Sequence, residues 1–154
     1  MDRFNLAQLT KVMLATRLKE VPDLAEATRQ VVFETLKTYL RNLPPGSPEL
    51  REGVREVARG AVTALLILDQ RLPRGTVHVL KGVDLAASSY ELDPGEALTW
   101  ALEGIADLKR FVPMDALLWI SQEIEQEFMG TGQVFKACLA KVPEFERVPE
   151  RKTT

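Results

Sequence analysis

The sequence predicts an all-α protein, a compact bundle of about six to seven amphipathic helices with no sheet, and three observations carry that prediction. Helix start and stop signals recur along the chain, and apolar residues recur at helical spacing between them. No segment alternates apolar and polar residues with the period of two that a strand requires; Thr76-Val77-His78-Val79 is β-branched but too short to support a sheet.

Helices are expected over 4–20, 23–42, 48–71, 76–89, 94–111, 114–129 and 132–141. Asp23 with Glu26 opens the second. Ser47-Pro48-Glu49 opens the third, because the serine oxygen can accept a free amide hydrogen while proline tolerates the first helical position. Asp93-Pro94-Gly95-Glu96 opens the fifth with the spacing of a capping box. Leu43-Pro44-Pro45-Gly46, Leu72-Pro73-Arg74-Gly75 and Val112-Pro113 read as stops. One domain is expected over 1–143, with a flexible tail over 144–154.

Within the third helix, Gly53, Gly60, Ala61 and Ala64 are small enough for another helix to approach closely. Ala64-Leu65-Leu66-Ile67-Leu68 is apolar all round, which predicts a central position or burial by a second subunit. Asp69, after that run, carries a charge that a helix C-terminus disfavours unless a cation such as Arg71 sits close. A faint internal repeat relates 24–31 to 50–57, and similar amphipathic helices explain it without a solenoid.

The fifth helix carries a core stripe of Leu98, Ala101, Leu102, Ile105, Leu108 and Val112, while Trp100 points to another side with Ala97, Gly104 and Phe111. In the sixth, Met114, Leu117, Leu118, Ile124 and Phe128 form the stripe, and Trp119 projects among Asp115, Gln122 and Gln126. Trp100, Phe111 and Trp119 are therefore candidate interface residues. Either a second layer of helices covers the tryptophans or they form an anchor patch for another chain.

Chemistry-bearing motifs are sparse. His78 is the only histidine; no Gly-x-Ser-x-Gly elbow accompanies it, and Ser88 and Ser89 are merely its nearest serines. No catalytic residue, cofactor site or metal site is assigned. Glu123 and Glu127, backed by Glu125, could present carboxylates to a cation, but a solvated polar face is the simpler account. Gly130-Thr131-Gly132 starts like a dinucleotide fingerprint, yet no strand precedes it and Phe135 occupies the third glycine position. Cys138 reads as a small buried apolar residue, although Lys136 and Lys141 are near in sequence. Arg51, Arg55 and Arg59 form a stripe that could contact an anion; Glu52 and Glu56, three residues before the last two arginines, offer intrahelical pairs instead.

A formal net charge of −2 argues against generic nucleic-acid binding. The single cysteine fits a reducing cytoplasm; the N-terminal stretch has no apolar signal-peptide core, and no apolar run reaches membrane-spanning length. Together these features favour a cytoplasmic, non-catalytic interaction module, most simply a homo-oligomer or a binder of another protein. The alternative is a binder of an apolar ligand or lipid surface through the bundle interior. Enzymatic use of carboxylates such as Glu103 and Asp107 stands third.

Overall fold

A computed structural model describes residues 5–20, 23–44, 46–68 and 71–143. The protein is all-α, with α1 at Leu6–Leu18, α2 at Leu24–Leu40, α3 at Pro48–Ile67 and α4 at Leu72–Ser89. These are followed by α5 at Pro94–Ile105, a 3-10 turn at Ala106–Arg110, α6 at Met114–Glu127 and α7 at Thr131–Ala140. The described residues contain no strand. The expected tail at 144–154 and Asp69 lie outside the described residues.

Side-chain caps place several helix starts. Asn5 accepts from the Gln8 amide at 2.9 Å, Asp23 from Glu26 at 3.0 Å and Ser47 from Glu49 at 3.2 Å. Asp93 accepts from Gly95 at 3.4 Å, a cap within its own turn, where the expected reciprocal box would have used Glu96. Three expected boundaries shift, the first being the end of α3, which stops at Ile67 where 71 was expected. The α4 helix starts at Leu72, because Pro73 sits in a first turn whose amides need no intrahelical acceptor, so this proline opens a helix. The α5 helix tightens into the 3-10 turn after Ile105 and does not run on to Phe111.

The helices lie in two layers. Each packs on its sequence neighbour or on the helix after that, with the most extensive contacts between α1 and α3, α2 and α4, and α3 and α5. The next-but-one pairs run parallel. Along α3 and α5, Arg51 meets Glu103 and Arg59 meets Asp107 in ascending order; from α2 to α4, the Arg29 carbonyl lies at Gly82 and the Lys37 carbonyl at Tyr90. Odd-numbered helices thus form one layer and even-numbered helices the other, the connectivity by which helical-repeat proteins stack. Such stacking goes beyond the faint repeat legible in the sequence.

Three glycines set the closeness of this stacking. A Cβ on Gly60 would run into the Ala7 backbone, one on Gly104 into the Arg55 backbone, and one on Gly82 into the Arg29 carbonyl and Val32. They stand 22 residues apart, one in each of α3, α4 and α5, and each receives the helix two places earlier.

The core follows the expected face over α5 and the 3-10 turn: Ala101, Leu102, Ile105, Leu108 and Val112 are buried, and Leu98 is half-buried. Ala97 and Gly104 are buried as well, so α5 packs on two sides. In α6 the stripe differs from expectation. Leu117, Ile120, Ser121 and Ile124 are buried, whereas Met114 and Leu118 are exposed. The Ala64–Leu68 run is not enclosed by the subunit either, since Ile67 at its end is 62% exposed. Lys109 is buried and donates to the Leu139 carbonyl at 2.8 Å, setting a cation at the last turn of α7, where the helix dipole is negative.

Candidate functional site

The three candidate aromatic residues fall in three separate clefts, and each cleft also holds arginine. Trp100 and Arg51 line a cleft of about 740 Å³ between the α2–α3 and α4–α5 turns, with Tyr90 and Leu92. Trp100 is half-buried against the core. Trp119 stands with Leu66, Leu72, Pro73 and Ala116 in a groove of about 540 Å³ beside the start of α4, bordered by Arg71 and Arg74. The interval from Arg51 to Leu66 along α3 separates these clefts by roughly 20 Å at the 1.5 Å rise per residue of a helix. Phe111 occupies a third cleft with Arg59.

Trp119 is the member of the trio that combines large apolar area with an apolar lining: it is 59% exposed. On α6, Ala116, Trp119 and Glu123 face the start of α4, and Leu118 and Met114 of the same helix are exposed outside that groove. The expected polar surroundings of Trp119 are only half the picture, because its groove wall comes from α3 and α4. No intrahelical spacing in α6 contains that information.

The arginine stripe is engaged, and its main partners lie across the layer. Glu103 accepts from Arg51 Nε at 3.0 Å and Arg51 Nη2 at 2.9 Å, with Arg55 Nε at 3.7 Å from the same carboxylate. Arg59 lies 3.3 Å from Asp107. The intrahelical pairs expected from the sequence are also present: Arg55 lies 3.4 Å from Glu52, nearer than Glu103, and Arg59 lies 3.8 Å from Glu56, farther than Asp107. Glu103 and Asp107, read as possible catalytic carboxylates, thus face guanidinium groups.

A second charged ridge joins α4 and α6. Arg74 reaches Glu123 and Glu127, each at 3.5 Å, and Lys81 reaches Glu127 at 3.9 Å. The carboxylates considered for a cation thereby face cationic side chains. His78 lies on this ridge, half-buried, with a buried Nδ1 that has no hydrogen-bond partner. Burial holds its pKa below the ordinary histidine value, the cations Lys81, Arg74 and Arg29 lower it further, and Glu127 acts in the opposite sense.

Glu125 has a different task. Its carboxylate accepts from the Gly130 amide at 2.9 Å and the Gly132 amide at 2.8 Å, and these bonds lower its pKa. Gly130 takes φ +92°, which glycine adopts without strain. Gly130 therefore makes the α6–α7 turn and Thr131-Gly132 open α7, and the anion at the start of α7 is the protein's own side chain. Cys138 is buried; burial raises its thiol pKa, Glu103 adds to the rise and Lys141 opposes it, an unreactive setting.

Among the described residues, no helix is long and apolar enough to cross a membrane. No family model matches this chain, and neither does any curated protein or solved structure.

Proposed function

We propose that the protein is a non-catalytic self-association module that pairs with a second copy of itself through the Trp119 groove. The observation carrying this reading is a tryptophan 59% exposed beside Leu66, Leu72, Pro73 and Ala116. Tryptophan and arginine are enriched among the residues that carry the binding energy of protein interfaces. Two-fold pairing demands a self-complementary surface, and the groove's rim carries both signs, with Arg71 and Arg74 near Glu123. We place the module in the cytoplasm, in keeping with a single cysteine that is buried and unpaired. A protein partner suits this chain better than nucleic acid, because its net charge is −2 and its arginine stripe already faces Glu103 and Asp107.

Sedimentation equilibrium on a Trp100→Phe variant, combined with acrylamide quenching, tests the pairing. With Trp119 as the remaining indole, rising concentration should raise the mass toward twice the monomer while quenching falls. Trp119→Ser should weaken pairing by about thirtyfold, the equivalent of roughly 2 kcal/mol for an anchor residue. A monomer at all concentrations, with Trp119 steadily quenched, rules the proposal out.

A second reading, apolar-ligand binding, draws on the groove between α1 and α2. It measures about 490 Å³ and is lined by Leu6, Leu9, Met13, Tyr39 and Leu43. At its side the buried Thr35 hydroxyl has no partner. A single acyl chain with a polar end suits such a lining. Competition between a fluorescent fatty acid and unlabelled palmitate, abolished by Met13→Glu, is the expected result; no binding of either removes this reading.

A further inference from the structure

The cleft that holds Phe111 differs from the other two in its charge. It measures about 330 Å³, near the lower end of the size range of small-molecule sites. Its floor is α3 at Arg59, Gly60 and Thr63; one wall is the first turns of α1, including Gln8 and Lys11, and the other is the 3-10 turn with Arg110 and Phe111. This shape follows from the packing. Gly60 lets Ala7 settle directly onto α3, which brings α1 alongside the same stretch that the end of α5 flanks from the other side.

Three cations from three elements line the cleft, against one carboxylate. Asp107 is shared between Arg59 Nη1 at 3.3 Å and Arg110 Nε at 4.0 Å. Glu56, from the adjacent turn of α3, lies 3.8 Å from Arg59 and also accepts from the Ala7 amide at 3.4 Å. Lys11 has no ion-pair partner among the described residues. Beside these groups, Phe111 lines the same cleft and is 63% exposed. Like charges gathered from separate helices repel one another, and an anion placed among them relieves that repulsion while gaining charge-assisted hydrogen bonds.

We propose that this cleft binds an aryl phosphomonoester, its dianionic phosphate held by Lys11, Arg59 and Arg110 and its ring stacked on Phe111. The excess of positive lining charge favours a dianion over a monocarboxylate. An exposed phenylalanine beside guanidinium groups gives a flat ligand a surface that inorganic phosphate cannot use. Trp119 takes no part, so this site stands or falls separately from self-association.

The test is an amide-resolved NMR titration of the full chain with phenyl phosphate, with inorganic phosphate and phenol run in parallel. Phenyl phosphate should shift the amides around Lys11, Thr63 and Phe111, bind more tightly than either fragment, and weaken as salt is raised. Lys11→Gln and Phe111→Ala should each weaken it by about tenfold while leaving the thermal unfolding curve in place. Shifts centred on Arg51 and Arg55, equal affinity for inorganic phosphate, or full affinity in Lys11→Gln would each overturn the proposal. Arg110→Gln supplies an independent check, because Arg110 is exposed and its loss leaves Arg59 paired with Asp107.

Discussion

At Gly60 and Gly104 an added Cβ would lie nearer to a backbone oxygen of another helix than at Gly82, where that distance is 2.8 Å. Alanine there has no space to enter, so Gly60→Ala and Gly104→Ala should each destabilise the fold by about 2 kcal/mol, the usual scale of overpacking. Gly95→Ala is the contrasting case. A Cβ at that position meets only the Asp93 carboxylate at ordinary contact distance, and the variant should be neutral or gain about 0.5 kcal/mol from a stiffer unfolded chain. Urea denaturation midpoints of the three variants decide the point. His78 gives a second residue-scale expectation. Since folding lowers its pKa, the folded protein takes up its proton less readily than the unfolded chain. Its contribution to stability is full above the ordinary value of 6.5 and is lost as pH falls through the folded value. His78→Gln should flatten the decline in unfolding midpoint below pH 6.5, while leaving the acid range governed by carboxylates unchanged. At this scale the sequence exposed Gly53 and Gly60 as small residues on an amphipathic helix. It did not reveal Gly82 as a contact, nor Glu103 as the partner of Arg51, because both depend on which helix lies alongside. The even spacing of Gly60, Gly82 and Gly104 is the signal that could have found the contacts.

Helix ends are where sequence and structure agree most closely, and where they part for identifiable reasons. Asp23 and Ser47 cap α2 and α3 at the positions their side chains suggest, since a cap depends on residues within a few places of itself. Asp23→Ala should cost about 1 kcal/mol, visible as a lower thermal midpoint. Pro73 is harder to read, because proline both ends one helix and begins the next; only the packing of Leu72 against the core selects the second role. The cap on α7 lies beyond local inspection, since Glu125 belongs to the preceding helix. Glu125→Gln should speed hydrogen exchange at the Gly130 and Gly132 amides relative to the α3 amides. Its carboxylate pKa is lowered from 4.5, so its stabilising effect is present above that value and lost as pH falls through the folded one. In the glutamine variant the pH dependence of those two amides, after correction for intrinsic exchange, should disappear.

The class of the whole molecule was legible in the sequence because it depends on periodicity, and the order of stacking was not, because it depends on pairing segments far apart in the chain. Helices α3, α4 and α5 have neighbours before and after them in their own layers, whereas α1, α2, α6 and α7 each have a layer neighbour on one side alone. Native-state hydrogen exchange should therefore show the slowest amides in α3, α4 and α5 and faster ones toward α1 and α7. Uniform protection in all seven helices would indicate a single cooperative block. The candidate clefts are products of the same arrangement. Each gathers residues from helices that are separate in sequence, so a helical wheel identifies one wall and omits the other.

Contacts confined to the next helix and the next but one have a consequence for how such a chain can change in length. Each added pair of helices would meet one existing edge of each layer and leave the established interfaces untouched. Removing a pair from the same edge would likewise erase only the contacts it made. Growth and loss by whole pairs are thus far less disruptive than a one-residue shift inside α3, which would carry Gly60 out from beneath Ala7 and put a side chain in its place.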